Sequence, residues 1–113
     1  ADVNYNRGNS KRNLKDYYGA IADYTKSIEL NPDDTDAYNN RGLIKSNYLK
    51  DYYGAIADFT KAIELDPDYT NAYSGRGNAK FYLGDENGSC ADFRIAASLG
   101  DSNSAKWVRD ECN

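Results

Sequence analysis

Three arginines recur down the chain at nearly constant spacing: Arg7, Arg41 and Arg76, 34 and then 35 residues apart. Aspartates recur nearly in step at Asp23, Asp58 and Asp92, 35 and then 34 residues apart. A guanidinium can bond a carboxylate through two nitrogens and still lie against a neighbouring ring. The matched periods pair Arg7 with Asp23, Arg41 with Asp58 and Arg76 with Asp92 as structural ion pairs. The alternative is that the arginines receive an anionic ligand. Acids matched in period favour internal pairing.

Other chemistry is sparse. The chain has no histidine, and so lacks the commonest general base and the commonest metal ligand. Its two cysteines, Cys90 and Cys112, do not have metal-ligand spacing. The run GRGNAK, from Gly75, lacks the preceding strand and the closing Lys-Ser or Lys-Thr of a phosphate loop. The acidic runs NPDDTD and DPDYTN lack the spacing and the closing Glu of a calcium loop. These residues predict no enzyme, no cofactor and no metal site. A formal charge of −4 argues against a nucleic-acid partner. No apolar run approaches the roughly 18 residues of a membrane span. No leader is visible and the chain does not open on Met, so the expectation is a mature form or a piece of a longer protein.

The elements that position these residues are written twice. KDYYGAIADYTKSIELNPD, from Lys15, returns 35 residues later as KDYYGAIADFTKAIELDPD, from Lys50. Aligned on the Arg-Gly pair, YNRGNSK, NNRGLIK and SGRGNAK open three units. The second unit has one extra residue, between Gly42 and Asp51. Within each unit, apolar residues such as Ala20, Ile21, Tyr24 and Ile28 fall at helical spacing. Asp16, Asp51 and Asp85 mark turns inside units, and Asn31-Pro32-Asp33 and Asp66-Pro67-Asp68 mark stops between them. The pattern predicts helices over about 3–14, 17–30, 35–49, 52–65, 70–83, 86–99 and 102–111. One helical hairpin cannot bury its own apolar face, whereas a neighbour with the same face can cover it. Gly8, Gly42 and Gly77 allow close approach, and Tyr24, Phe59 and Phe93 fill the space between.

These residues resemble the tetratricopeptide repeat family, whose pattern is W-x2-L-G-x2-Y, then A-x3-F, then P. The second unit reads Tyr38-x2-Arg41-Gly42, Ala55-x3-Phe59, Pro67. The first reads Asn4-x2-Arg7-Gly8, Ala20-x3-Tyr24, Pro32. The third reads Tyr73-x2-Arg76-Gly77, Ser89-x3-Phe93, with Asp101 in place of proline. The resemblance spans the chain and implies an all-α fold: an α-solenoid of three helix-turn-helix units at about 1–34, 35–69 and 70–101. A seventh helix at 102–111 caps it, with Trp107 adding apolar surface. The junction AASLGDSNSAKWV is also similar to that of Sel1-like repeats. Two departures stand out. Arg7, Arg41 and Arg76 replace an apolar residue of the family, and Lys11, Lys45 and Lys80 replace an aromatic one.

The resemblance also implies function: non-enzymatic protein–protein interaction through a concave groove lined by the first helix of each unit. By period, the exposed face carries Asp2, Tyr5, Asn6, Asn9, Arg12 and Asn13 in the first unit. It carries Asp36, Asn39, Asn40, Leu43 and Asn47 in the second, and Asn71, Ser74, Asn78, Phe81 and Tyr82 in the third. Amide side chains both donate and accept, which suits the backbone of an extended peptide. Some family members hold the acidic tails of chaperones with a carboxylate clamp. Its five positions fall on Tyr5, Asn9, Asn40, Asn71 and Gly75, where the family has Lys, Asn, Asn, Lys and Arg. Only the asparagines Asn9 and Asn40 match, so a chaperone-tail ligand is not expected. The expected partner is a protein or peptide, with no nucleic acid and no membrane insertion. The alternative is a self-associating module, joined through an N-terminal end that has no capping helix.

The cysteines stand at mirrored distances about Gly100, ten residues before it and twelve after. An antiparallel helix pair folded there brings Cys90 and Cys112 side by side, within reach of a disulfide. The alternative is a pair of buried thiols. A bridge implies an exported protein, and free thiols imply a cytoplasmic one.

Overall fold

Each second helix opens on Asp-x-x-Gly, and the local chemistry explains why. Asp16, Asp51 and Asp85 accept hydrogen bonds from the backbone N–H groups of Gly19, Gly54 and Gly88, at 3.1, 3.0 and 2.9 Å. Such an N-cap contributes about 1 kcal/mol. A Cβ on any of these glycines would stand 2.2–2.3 Å from the capping carboxylate. Asp34 caps the intervening helix by accepting from Ala37 at 3.2 Å. At the stops between units, the Asn31 and Asp66 side chains accept from the N–H groups of Asp33 and Asp68. Those turns bracket Pro32 and Pro67, which cannot extend a helix.

The structure, a computed structural model, describes Gly8 and residues 16–112. The helix expected over 3–14 therefore lies outside the described residues, Gly8 apart. Among the described residues are six helices and no strand. They are α1 (Tyr17–Leu30), α2 (Thr35–Asn47), α3 (Tyr52–Leu65), α4 (Thr70–Tyr82), α5 (Glu86–Ser98) and α6 (Ser102–Glu111). Each packs on the next, and α2 also touches α4. The extents, 43 × 24 × 20 Å, are those of an elongated stack.

Apolar burial lies between successive hairpins. Ala20, Tyr24, Ile28, Ala37 and Ile44 form one buried cluster, and Ala55, Phe59, Ala62 and Ala72 form the next. Tyr38 packs against both. Gly8, Gly42 and Gly77 lie against the Tyr24, Phe59 and Phe93 rings, where a Cβ would come within 3.0–3.2 Å of ring carbon. Burial of one such ring contributes about 1.5–3 kcal/mol. The tyrosine richness has a second use at the ends of the helices. Tyr17 stacks on Tyr48 at 4.2 Å, and Tyr52 on Tyr82 at 5.3 Å, each pair joining adjacent hairpins.

The helix ends differ in a way the periodicity did not specify. The helices expected to reach 49, 83 and 99 stop at Asn47, Tyr82 and Ser98. After α4, the Asp85 N–H bonds to the Lys80 carbonyl and Gly84 to Phe81, with Gly84 at φ +85°. After α5, Asp101 bonds to Ala96 and Gly100 to Ala97, with Gly100 at φ +108°. Both are Schellman closures, which end a helix in the left-handed region. The second unit spends its extra residue here. Tyr48, Leu49 and Lys50 bridge α2 to Asp51, and Lys50 takes the left-handed position at φ +59°. A side chain there costs about 1–2 kcal/mol. Lys50→Gly is therefore expected to stabilise the fold by about 0.5–1 kcal/mol, once glycine's greater unfolded freedom is deducted. The check is a raised urea midpoint at unchanged slope. An unchanged or lowered midpoint would show that the turn carries no strain.

Candidate functional site

The site begins with what holds its walls. Arg41 on α2 donates from Nε and Nη2 to the two carboxylate oxygens of Asp58 on α3, at 2.9 and 2.7 Å. Its Nη1 donates to Thr25 Oγ1 on α1, at 3.1 Å. The same arrangement recurs one unit on. Arg76 on α4 donates to both oxygens of Asp92 on α5 at 2.8 Å, and to Thr60 Oγ1 on α3 at 3.2 Å. Lys45 and Lys80 close each set, 3.1 Å from Asp58 and Asp92. Each guanidinium also lies over a ring, Tyr38 at 5.5 Å and Tyr73 at 5.8 Å. The Asp58 and Asp92 side chains are only 5% and 3% exposed, so neither could stand unpaired. The hydrogen bond to Asp58 raises the Arg41 pKa against burial, which acts the other way, and Asp92 does the same for Arg76. The edge of each guanidinium that would grip an anion is occupied by the aspartate. Arg7 lies outside the described residues; Asp23 is buried on α1.

With their cations turned inward, α2 and α4 present a different face to a groove of about 530 Å³. Leu43 and Asn47 line it from α2, and Asn71, Ser74, Gly75 and Asn78 from α4. Phe93 forms part of the floor, and Asp101, Asn103, Ser104 and Trp107 close the far end. Of the residues expected here, Tyr5, Asn6, Asn9, Arg12 and Asn13 lie outside the described residues, as does the N-terminal surface proposed for self-association. Leu43, Asn47, Ser74 and Asn78 line the groove. Asp36, Asn39, Asn40, Phe81 and Tyr82 do not. Asn39 is turned into the stack and is only 3% exposed. Phe81 lines a separate recess beside Trp107, in edge contact with that ring at 5.0 Å. Tyr82 is taken by its stack on Tyr52. Asn40 is half-buried and does not line the groove.

The wall from α6 was missed, because that segment reads as a cap alone. A signal existed: Trp107 follows Tyr73 by 34 residues, the step of the repeat. α6 is pinned to α5 at both ends. The Gly100 turn holds its start, and a disulfide between Cys90 and Cys112 holds its end, with the Cα atoms 5.9 Å apart. Trp107 packs at 5.2 Å on Phe93 between them.

Paired helices stacked edge to edge, with a groove along one face, define a helical-repeat protein. Tetratricopeptide repeat models match residues 1–34 and 23–57, and a TPR repeat model matches 47–84. The chain belongs to the tetratricopeptide repeat family. Among solved structures it is similar to the Arabidopsis OM64 TPR domain, at 30% identity and TM-score 0.92, over 99% of this chain and 93% of that one. It is similar to the first TPR of Spaghetti (RPAP3) bound to HSP90 peptide SRMEEVD, at 28% identity and TM-score 0.89, over 95% and 86% of the two chains. It is also similar to the second TPR domain of human RPAP3 in complex with HSP70 peptide SGPTIEEVD, at 29% identity and TM-score 0.87, over 94% and 89%. No curated protein matches the sequence.

The ionic sets generate a stability test. Because Lys45 shares Asp58, removing Arg41 and Asp58 together would strand the lysine, so the volume-matched exchange must be triple: Arg41→Met, Lys45→Met, Asp58→Leu. That variant is expected to fold with near-native stability. Asp58→Ala alone is expected to cost about 3 kcal/mol, because it leaves two half-buried cations without their acid. Urea unfolding of both variants decides; equal small losses would contradict the reading.

Proposed function

We propose that this chain acts by binding, not catalysis, and that its groove holds an extended segment of a partner protein. The observation that carries the reading is the lining itself. Asn47, Asn71, Asn78 and Asn103 stand along one concavity with Ser74 between them. Amides spaced along a groove can donate to carbonyls and accept from N–H groups of a backbone laid across them. The similar domains that carry HSP90 and HSP70 peptides support the same use of the fold.

The manner of binding differs from theirs in charge. Among the described residues, the groove is lined by no lysine and no arginine. At the clamp positions Asn71 and Gly75 no cation is present, and Gly75 has no room for one. A Cβ there would sit 2.6 Å from the Phe59 ring, which is fully buried and cannot yield. The ring that fills the core of one unit thus removes a cation from the groove of the next. Recognition falls to amides and apolar floor, not to an acidic terminus.

The test is a triple substitution, Asn47→Ala, Asn71→Ala and Asn78→Ala, assayed on nine-residue peptides selected from a random display library on the native chain. Loss of affinity of tenfold or more is expected, with the thermal midpoint unchanged or slightly raised, since alanine is the better helix former. Selected peptides that bind the variant undiminished would place recognition on another surface.

A further inference from the structure

Three recesses meet at Trp107. The groove brings Asp101 to it. A second recess, against the disulfide, brings Glu86 and Glu111. A third brings Asp110 and Glu111, with Lys106 the one cation. Four carboxylates thus share these recesses with a half-buried indole, against one ammonium. Asp101 is also unlike the acids that open the earlier helices. Asp16, Asp34, Asp51 and Asp85 each accept a backbone N–H. Asp101 makes no such cap bond; its Oδ2 accepts the Ser104 hydroxyl. It lines the groove while holding only that hydroxyl, with no backbone N–H of the helix bonded to its side chain.

An indole face and a carboxylate at one place are the two groups that best receive an alkylammonium or a guanidinium. The ring attracts the cation through its quadrupole, and the acid bonds its N–H groups. An acidic peptide in the groove would meet Asp101 as like charge and, among the described residues, no donor side chain except amide, hydroxyl and the indole N–H. Among the described residues the rest of the groove adds no cation to offset this, and the chain's formal charge of −4 acts in the same direction.

We infer that the segment taken by the groove is basic: an extended peptide with a lysine or arginine side chain seated at Trp107 and Asp101, and an apolar neighbour on the Leu43 and Phe93 floor. This rests on the peptide-groove reading above and gives its ligand a chemical class. It is the reverse of the acidic peptides held by the similar domains.

Trp107 is the only tryptophan in the chain, so its emission reports this place alone. Three nine-residue peptides with one shared Gln-Ser-Leu framework, bearing three Lys, three Gln or three Glu, are titrated into the intact oxidised protein. The Lys peptide is expected to bind at least tenfold tighter than the Glu peptide and to change Trp107 emission. Asp101→Asn and Trp107→Leu are each expected to reduce Lys-peptide affinity about tenfold. Trp107→Leu leaves net charge untouched, so an affinity it does not alter would reduce the preference to diffuse attraction and overturn the inference. The emission change in the native protein stands even if that variant folds poorly. Equal binding of all three peptides, lost in the asparagine triple variant, would overturn the basic ligand and keep the groove. Binding by none of them would overturn both.

Discussion

A carboxylate enclosed between helices must be paired, and this stack is arranged around that requirement. Asp58 and Asp92 are almost wholly buried. Each is met by an arginine through two bonds and by a lysine through a third contact. The remaining arginine nitrogen reaches back to a threonine of the preceding hairpin. One guanidinium therefore ties three helices. α3 is the shared member, carrying Asp58 for Arg41 and Thr60 for Arg76. Ion pairs of this kind seldom add much net stability, because desolvation offsets the attraction. The rings at Tyr24 and Phe59 and the alanines around them supply the favourable burial. The ionic sets fix how far one helix is turned and slid against the next, since a bidentate pair tolerates little displacement.

That division has a consequence for recognition. Among the described residues, α2 and α4 commit their arginine and lysine to the interior and keep no cation for the concave face. What remains is amide, hydroxyl and a strip of apolar floor. The Phe59 ring extends the same logic, since it fills the Gly42 contact within its own unit and the space under Gly75 in the next. Packing and the charge of the groove are thus linked through residues that do not line it.

Much of this was legible in the residues, and the exceptions have physical causes. A 35-residue echo with Arg and Asp in step gave the hairpins and the partners of Arg41 and Arg76, because a repeated charge at a packing position implies a repeated counter-charge. Thr25 and Thr60 also recur in step. Their role was not legible, because a threonine on a helix face has no chemistry that demands a partner, and the third unit has Arg94 in that place. Period alone placed Asn39, Phe81 and Tyr82 on the groove. Period cannot tell the two flanks of a helix apart when neighbours on both sides compete for it, and Tyr52 and Trp107 won Tyr82 and Phe81. The acidic end of the groove was hidden for a different reason: α6 lacks the arginine-glycine signature and reads as a lid, not a wall.

The arrangement of the stack depends on Arg41 and Arg76 being held by carboxylates inside it. Proton–nitrogen NMR of the arginine Nε–H groups tests it most directly. Arg41 and Arg76 are expected to give two dispersed, slowly exchanging signals, well apart from those of Arg94 and Arg109. The Arg41 signal is expected to collapse into the free-arginine envelope in Asp58→Asn, and the Arg76 signal in Asp92→Asn, each leaving the other in place. A single averaged arginine signal in the native protein, or dispersed signals indifferent to both substitutions, would contradict the account.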